Sequence, residues 1–230
     1  MYKISELLDV SHTIASELFE GREYAWDALS DIKDLIFKLG RTLPADEFDS
    51  PEEGVWIAKD AKVFPTAYVG APCIIDHGAE VRHCAFIRGS AIVGKNCVVG
   101  NSVELKNVVL FDNVQVPHYN YVGDSILGYK SHMVAGSITS NVKSDKTLVV
   151  VKNDSEQIET GRKKFGAILG DFVEVGCNSV LNPGTVIGRN TNIYPVSRVR
   201  GVIPANSIFK DDGNIVKKEG LKTDSQVLSC

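Results

Sequence analysis

Five histidines are spread through this 230-residue chain, and one of them stands in a setting suited to proton transfer. His118 is followed by Tyr119, Asn120 and Tyr121. An imidazole changes protonation near neutral pH, so His118 is the natural candidate for a general base. Arg88 and Lys106 are eighteen residues apart. If that interval is one turn of a regular coil, their side chains emerge on one side of adjacent turns and converge on an anion such as a phosphate. The five cysteines, Cys73, Cys84, Cys97, Cys177 and Cys230, form no CxxC pair and are odd in number. They read as reduced thiols, mostly small buried hydrophobes, in a cytoplasmic protein rather than as disulfides or zinc ligands.

The element that positions these residues is a six-residue repeat. Stepping by six from Ile57 gives Val63, Val69, Ile75, Val81, Ile87, Val93, Val99 and Leu105. A second run gives Leu169, Val175, Leu181, Ile187, Ile193 and Val199. Four residues after the aliphatic positions stand small or β-branched ones, such as Ala61, Ala67, Cys73, Ala79, Ala85, Ala91, Cys97 and Val103. This period fits neither a helix nor a simple strand. It fits a short strand and a sharp turn, three of which close a triangular coil. The expected fold is an all-β solenoid, a left-handed parallel β-helix, over residues 56–205. The register slips at Leu110, Val116 and Val122, one residue early, and slips again at Leu127 and Met133. Residues 143–164 abandon the repeat, are polar, and predict an extruded loop with a short strand at Leu148–Val151; such insertions commonly build a binding face.

Residues 1–55 lie outside the repeat. Trp26, Leu29, Ile32, Leu35, Ile36 and Leu39 share a face at helical spacing, with Gly40 as a stop, and predict a helix that caps the open end of the prism. Residues 206–230 lose the repeat and predict a loosely ordered tail. A net charge of -4 argues against nucleic acid or an anionic membrane as partner. No apolar run approaches the roughly 20 residues of a membrane span, and the first residues lack the apolar core of a signal peptide.

The middle of the chain carries more specific signals. Gly100-Asn101-Ser102-Val103-Glu104-Leu105-Lys106-Asn107, His118-Tyr119-Asn120-Tyr121-Val122-Gly123-Asp124 and Ala135-Gly136-Ser137-Ile138-Thr139-Ser140-Asn141 follow in order. They resemble the acetyltransferase half of bacterial bifunctional N-acetylglucosamine-1-phosphate uridyltransferase/glucosamine-1-phosphate acetyltransferases, hexapeptide-repeat proteins. The run Thr160-Gly161-Arg162-Lys163-Lys164-Phe165-Gly166 is similar to archaeal sugar-phosphate nucleotidyltransferase/amino-sugar acetyltransferases, and Tyr24-Ala25-Trp26-Asp27 matches their junction after the nucleotidyltransferase domain.

The resemblance implies N-acetylation of an amino-sugar phosphate by acetyl-CoA. His118 takes the catalytic position, Arg88 and Lys106 the phosphate, and Glu104 and Tyr121 the sugar. Asn141 matches a residue near the amino group and thioester. His132 replaces an asparagine that helps to hold the sugar. Ala135 and Cys177 align with acetyl-CoA contacts, Cys177 where serine is common, and Pro195 replaces a small residue there. Arg162, Lys163 and Lys164 could meet the phosphates of CoA. The resemblance also implies a homotrimer. The acceptor stays open between glucosamine 1-phosphate, galactosamine 1-phosphate and another amino sugar, as does N- against O-acetylation. The sequence shows no glycine-rich nucleotide-binding loop of a nucleotidyltransferase, so that activity is not expected of it, and a separate nucleotidyltransferase is a conceivable partner.

Two rival readings remain. A non-catalytic sugar-nucleotide-binding scaffold could keep the prism without the chemistry. A trimeric zinc hydratase of the γ-type carbonic anhydrase kind would need three histidines; His83 and His118 have tolerable spacing, but Gly123 stands where the third belongs. No metal is expected.

Overall fold

The computed structural model describes residues 1–210 and 213–219. Cys230 and the end of the expected tail lie outside the described residues. From Val55 onward the chain winds as a parallel β-solenoid with three faces. The first face stacks Val55–Ala58, Cys73–Ile75, Ala91–Val93, Ala167–Leu169, Thr185–Ile187 and Val202–Ile203. The second carries Val98–Asn101, Gln115–His118, His132–Met133 and Glu174–Val175 among others. The third carries Phe86–Ile87, Ile138–Thr139 and Val180–Leu181. The register confirms the period: Val55 pairs with Cys73 and Cys73 with Ala91, eighteen residues on each time. The aliphatic hexad positions from Val81 to Leu105 are fully buried inside the prism.

Two longer strands, Glu104–Leu110 and Tyr121–Leu127, run from the third face onto the first without a break. They explain the slips. Ala91 pairs with Val108 and Val108 with Ser125, so these coils are seventeen residues long. The missing residue is taken from the corner between the third and first faces. Asn107 and Asp124 turn that corner with φ of 54° and 48°. The polar insertion leaves the same corner. Phe165 returns beside Asn141, its N–H donating to the Asn141 carbonyl at 2.9 Å. Between them Val150–Lys152 and Gln157–Glu159 form an antiparallel hairpin, whose first strand begins two residues later than expected and overlaps the expected one at Val150 and Val151.

The N-terminal segment departs from expectation. The helix spans only Ile32–Gly40, preceded by a 3-10 helix at Ala25–Ser30. It lies along the first face, against Cys73–Ile75, Ala91–Val93 and Glu104–Leu110, rather than over an open end. The reason is legible in those strands. Along the first face the outward residues Ile74, Ile92, Val109, Ile126, Ile168 and Val186 point away from the lumen, are apolar and are fully buried. A strand covered on both sides reads as a continuous apolar run. Covering each Ile contributes roughly 1.5–3 kcal/mol, which favours the flank over the end. The strand at the open end is instead met by Phe48–Asp49, antiparallel to Val55–Ala58. The chain after Ala205 also differs from a loose tail: Ser207–Phe209 adds to the second face and Ile215–Lys217 pairs back on it antiparallel.

Candidate active site

Two neighbouring features gather the expected residues. The first is the corner between the second and third faces. Its backbone forms one hydrogen-bonded column. Tyr119 N–H donates to Asn101 O at 2.9 Å, Gly136 to His118 at 3.0 Å, Asn178 to Ala135 at 2.9 Å and Val196 to Cys177 at 2.8 Å. His118, Ala135, Cys177 and Pro195 therefore stand on successive coils of one ridge. The residue after each turns the corner with positive φ: Tyr119, Gly136, Asn178 and Val196. For Val196, β-branched and at φ 61°, that conformation is strained. His118 is exposed, and its N–H donates to Asn120 Oδ1 at 3.1 Å. Asn120 is buried and its amide donates to Val134 O and Ser137 O, which fixes the backbone beneath His118. Gly100 is required directly under this strand, since a Cβ there would lie 1.5 Å from Pro117 O.

The second feature is a polar cluster on the third face. Arg88 N–H donates to Leu105 O, and Lys106 is in register with Gly123, so Arg88 and Lys106 are neighbours on adjacent coils. Each cation meets a carboxylate. Arg88 donates to Glu104 Oε1 at 2.8 Å, a half-exposed pair. Lys106 Nζ donates to Asp124 Oδ1 at 2.8 Å and Oδ2 at 3.1 Å. Asp124 is buried and also accepts from Asn107 at 3.1 Å and Asn141 at 2.6 Å. Asn141 Nδ2 donates as well to the Tyr121 hydroxyl at 3.1 Å. Burial first, then the Asp124 and Glu104 charges, push the Tyr121 phenol up, so it stays protonated with its O–H free to donate. Gly123 has no side chain to obstruct this contact.

His132 sits apart, on the second face between Gln115 and Glu174. It is half-buried, and among the described residues its Nε2 has no hydrogen-bond partner. Burial, partly offset by Glu174 and reinforced by His118, pushes its imidazole down, which favours the neutral ring. Arg162 is engaged within the chain: Nη2 donates to Asp27 O at 2.9 Å and Ser30 Oγ at 3.3 Å, tying the insertion to the N-terminal segment. Burial pushes its guanidinium down. Lys163 and Lys164 are exposed. Sequence reasoning gave Asp124 and Asn107 no role, although both stand inside the quoted motifs. The signal available was the register slip, which falls at this corner.

Among the described residues no group of three or more His, Cys, Asp or Glu side chains is gathered as metal ligands, and no helix is long and apolar enough to cross a membrane. Cys73 and Cys97 are buried, and burial pushes the Cys73 thiol up to about 12; Cys84 is exposed and Cys177 half-buried.

A bifunctional sugar-1-phosphate nucleotidylyltransferase/acetyltransferase of Sulfurisphaera tokodaii is 33% identical over 106 residues, 46% of this chain and 26% of that protein. The chain is similar to sugar-phosphate nucleotidyltransferase/acetyltransferases. A bifunctional protein GlmU of Methanococcus maripaludis is 32% identical over 116 residues, 50% of this chain and 28% of that protein. The chain thus spans about a quarter of the length of these curated relatives. Residues 69–175 match the GMPPB C-terminal domain family. Among solved structures, a mutant of AntD, an N-acyltransferase from Bacillus cereus in complex with dTDP and coenzyme A, covers 74% of this chain and 89% of its own at 16% identity and a TM-score of 0.38.

Proposed function

We propose that this protein is an acetyl-CoA-dependent N-acetyltransferase acting on an amino-sugar phosphate, with His118 as general base. The observation that carries the reading is the adjacency of the two features. The ridge of His118, Ala135, Cys177 and Pro195 borders the face that holds Arg88, Glu104, Lys106, Tyr121 and Asn141. The names of the relatives support the same reaction class.

In this reading acetyl-CoA lies along the ridge and supplies the acetyl thioester. The neutral amine of the sugar attacks the thioester carbon, and His118 takes the amine proton as the C–N bond forms. The tetrahedral oxyanion needs a donor, and the thiolate of CoA leaves as the carbonyl reforms. Asn141 and the Tyr121 hydroxyl are the polar groups offered to the amino group and the sugar. The third face from Tyr121 to Asp124 is three steps of strand, about 10 Å at ~3.3 Å per residue. That width accommodates a hexose phosphate whose phosphate meets Arg88 and Lys106 and whose amine, on the carbon next to the phosphate-bearing one, stays within reach of Asn141. The Arg88–Glu104 pair is half-exposed and therefore weak. A phosphate can replace Glu104 on the guanidinium and free that carboxylate for the sugar.

A homotrimer belongs to the same proposal. Tyr119 and Val196, beside His118 and Pro195, are large and exposed, and leave apolar surface for a second copy along the ridge. CoA release from acetyl-CoA with a panel of amino-sugar 1-phosphates, wild type beside His118→Ala, tests the reading. Turnover with one acceptor, falling at least about 100-fold in the variant, is the expected result. A folded protein that binds a sugar nucleotide but releases no CoA with any acceptor overturns it in favour of a non-catalytic scaffold.

A further inference from the structure

The buried carboxylate of Asp124 lies at the centre of a network that no step above requires. Its side chain is 5% exposed. It accepts hydrogen bonds from the Lys106 ammonium, the Asn107 amide and the Asn141 amide, which occupy the four or so lone-pair sites a carboxylate offers. The Asn107 amide reaches further, donating to the Leu29 carbonyl at 3.1 Å in the 3-10 helix of the N-terminal segment. The Asp124 carbonyl accepts from Gly166 at 2.8 Å, where the insertion rejoins the solenoid. One residue thus meets the third face, the insertion and, through Asn107, the flanking helices.

We propose that Asp124 is a positioning residue for the acceptor. The proposal rests on the acetyltransferase reading of the same site. A negative charge beside Asn141 fixes which end of that amide faces it: the Nδ2 group turns to Asp124, and the amide oxygen is presented outward to accept from the substrate amine. The same charge holds the Lys106 ammonium at one point on the face, one coil from Arg88, so that the phosphate meets a fixed cation rather than a mobile lysine. A buried ion pair is weak as a stabilising device, because desolvation offsets the attraction. Its effect here is to fix geometry, and the N-terminal segment contributes by holding Asn107 against Asp124.

The test is Asp124→Asn in the full chain, which keeps the shape and removes the charge. Site-resolved acylation of Lys106 by an amine-reactive reagent is read by mass spectrometry, with and without glucosamine 1-phosphate, beside steady-state kinetics. In wild type Lys106 reacts slowly and the sugar phosphate protects it further. In Asp124→Asn its reactivity rises and protection is lost, while kcat falls about 10- to 100-fold, the cost of misplaced reacting groups, and KM for acetyl-CoA is unchanged. Unchanged Lys106 reactivity, or a kcat loss matched by an equal rise in KM for acetyl-CoA, overturns the proposal. Should Asp124→Asn not fold, Asn107→Ala removes the strut alone and is expected to raise Lys106 reactivity in the same direction; an unaltered Lys106 then overturns it. Absence of wild-type turnover with any acceptor sinks the acetyltransferase reading instead, and the Lys106 labelling still decides whether Asp124 anchors this face.

Discussion

Gly123→Ala is the most direct probe of the polar cluster. A Cβ at this position would stand 2.5 Å from the Tyr121 hydroxyl oxygen, 2.8 Å from its Cζ and 2.9 Å from Asn141 Nδ2. Ordinary van der Waals contact begins near 3.4 Å, so the ring and the amide must each give by several tenths of an ångström and the hydroxyl by about 1 Å. Gly123 has no positive φ, so alanine suits the backbone and any effect is steric. Overpacking of this kind costs about 1–3 kcal/mol, and loss of the Tyr121–Asn141 hydrogen bond about 0.5–1.5 kcal/mol more. In a chain of this size ~2 kcal/mol lowers Tm by roughly 4–8 °C. Displacing two substrate-facing groups by about 1 Å should reduce kcat/KM by up to ~100-fold. Thermal unfolding and steady-state kinetics read the two effects separately. Adding Tyr121→Phe removes the nearest atom, so the double variant should regain part of the lost Tm while activity stays low. A Gly123→Ala protein with Tm within about 1 °C of wild type and unaltered kcat/KM would refute the assignment of Tyr121 and Asn141 to one positioned unit.

The basic run in the insertion should divide. Arg162→Ala releases the insertion from Asp27 and Ser30 and should destabilise by about 1–3 kcal/mol, as loss of hydrogen bonds to a charged group does; denaturant titration checks it. Lys163→Ala with Lys164→Ala should leave stability within about 0.5 kcal/mol and raise KM for acetyl-CoA, more at low salt than at high. Burial pushes the Asp76 carboxyl up, and its Oδ2 has no hydrogen-bond partner among the described residues. Folded and unfolded chains both hold that proton at low pH. As pH rises past the ordinary 3.8 the unfolded chain releases it first, so stability falls until the folded group also ionises. Asp76→Asn should therefore be the more stable protein at neutral pH, with the gap closing as pH falls toward 3.8; denaturant midpoints across that range check the sign.

The solenoid was readable because each inward position imposes the same demand every six residues, and Val81 through Leu105 meet it without exception. The cation pair of the third face was readable too, since one 18-residue turn places Arg88 beside Lys106 whatever the side chains do. What periodicity could not reach was the direction of individual polar groups. Arg162 sits in a basic run that suggests an outward anion site, yet its guanidinium turns to the N-terminal backbone. Nothing in the spacing reveals that preference, because its partners are a main-chain carbonyl and a serine hydroxyl more than a hundred residues away. The helix placement is hidden for a different reason. Its apolar stripe is visible, but the surface it covers is the outward stripe of Ile74, Ile92 and Ile126, which lies between the inward positions that the six-residue period marks, and two apolar surfaces in one chain must find each other.

The repeat also indicates where to look when it breaks. Leu105 is followed five residues later by Leu110, and Val122 by Leu127, in place of the usual six. The insertion lies between Thr139 and Leu169, and Val199 is followed after only four residues by Ile203. Every one of these departures falls at the corner between the third and first faces, whereas the other two corners keep their spacing from Val81 to Phe209. A regular corner stacks like on like and presents the same geometry at each coil. Shortening it at Asn107 and Asp124 draws two faces into one strand and brings polar side chains under the helical segment. Lengthening it after Asn141 sends out the hairpin that Arg162 then fastens down. The irregular edge is thus where solenoid, insertion and N-terminal segment meet, and the polar cluster of Lys106, Asp124 and Asn141 is built against it.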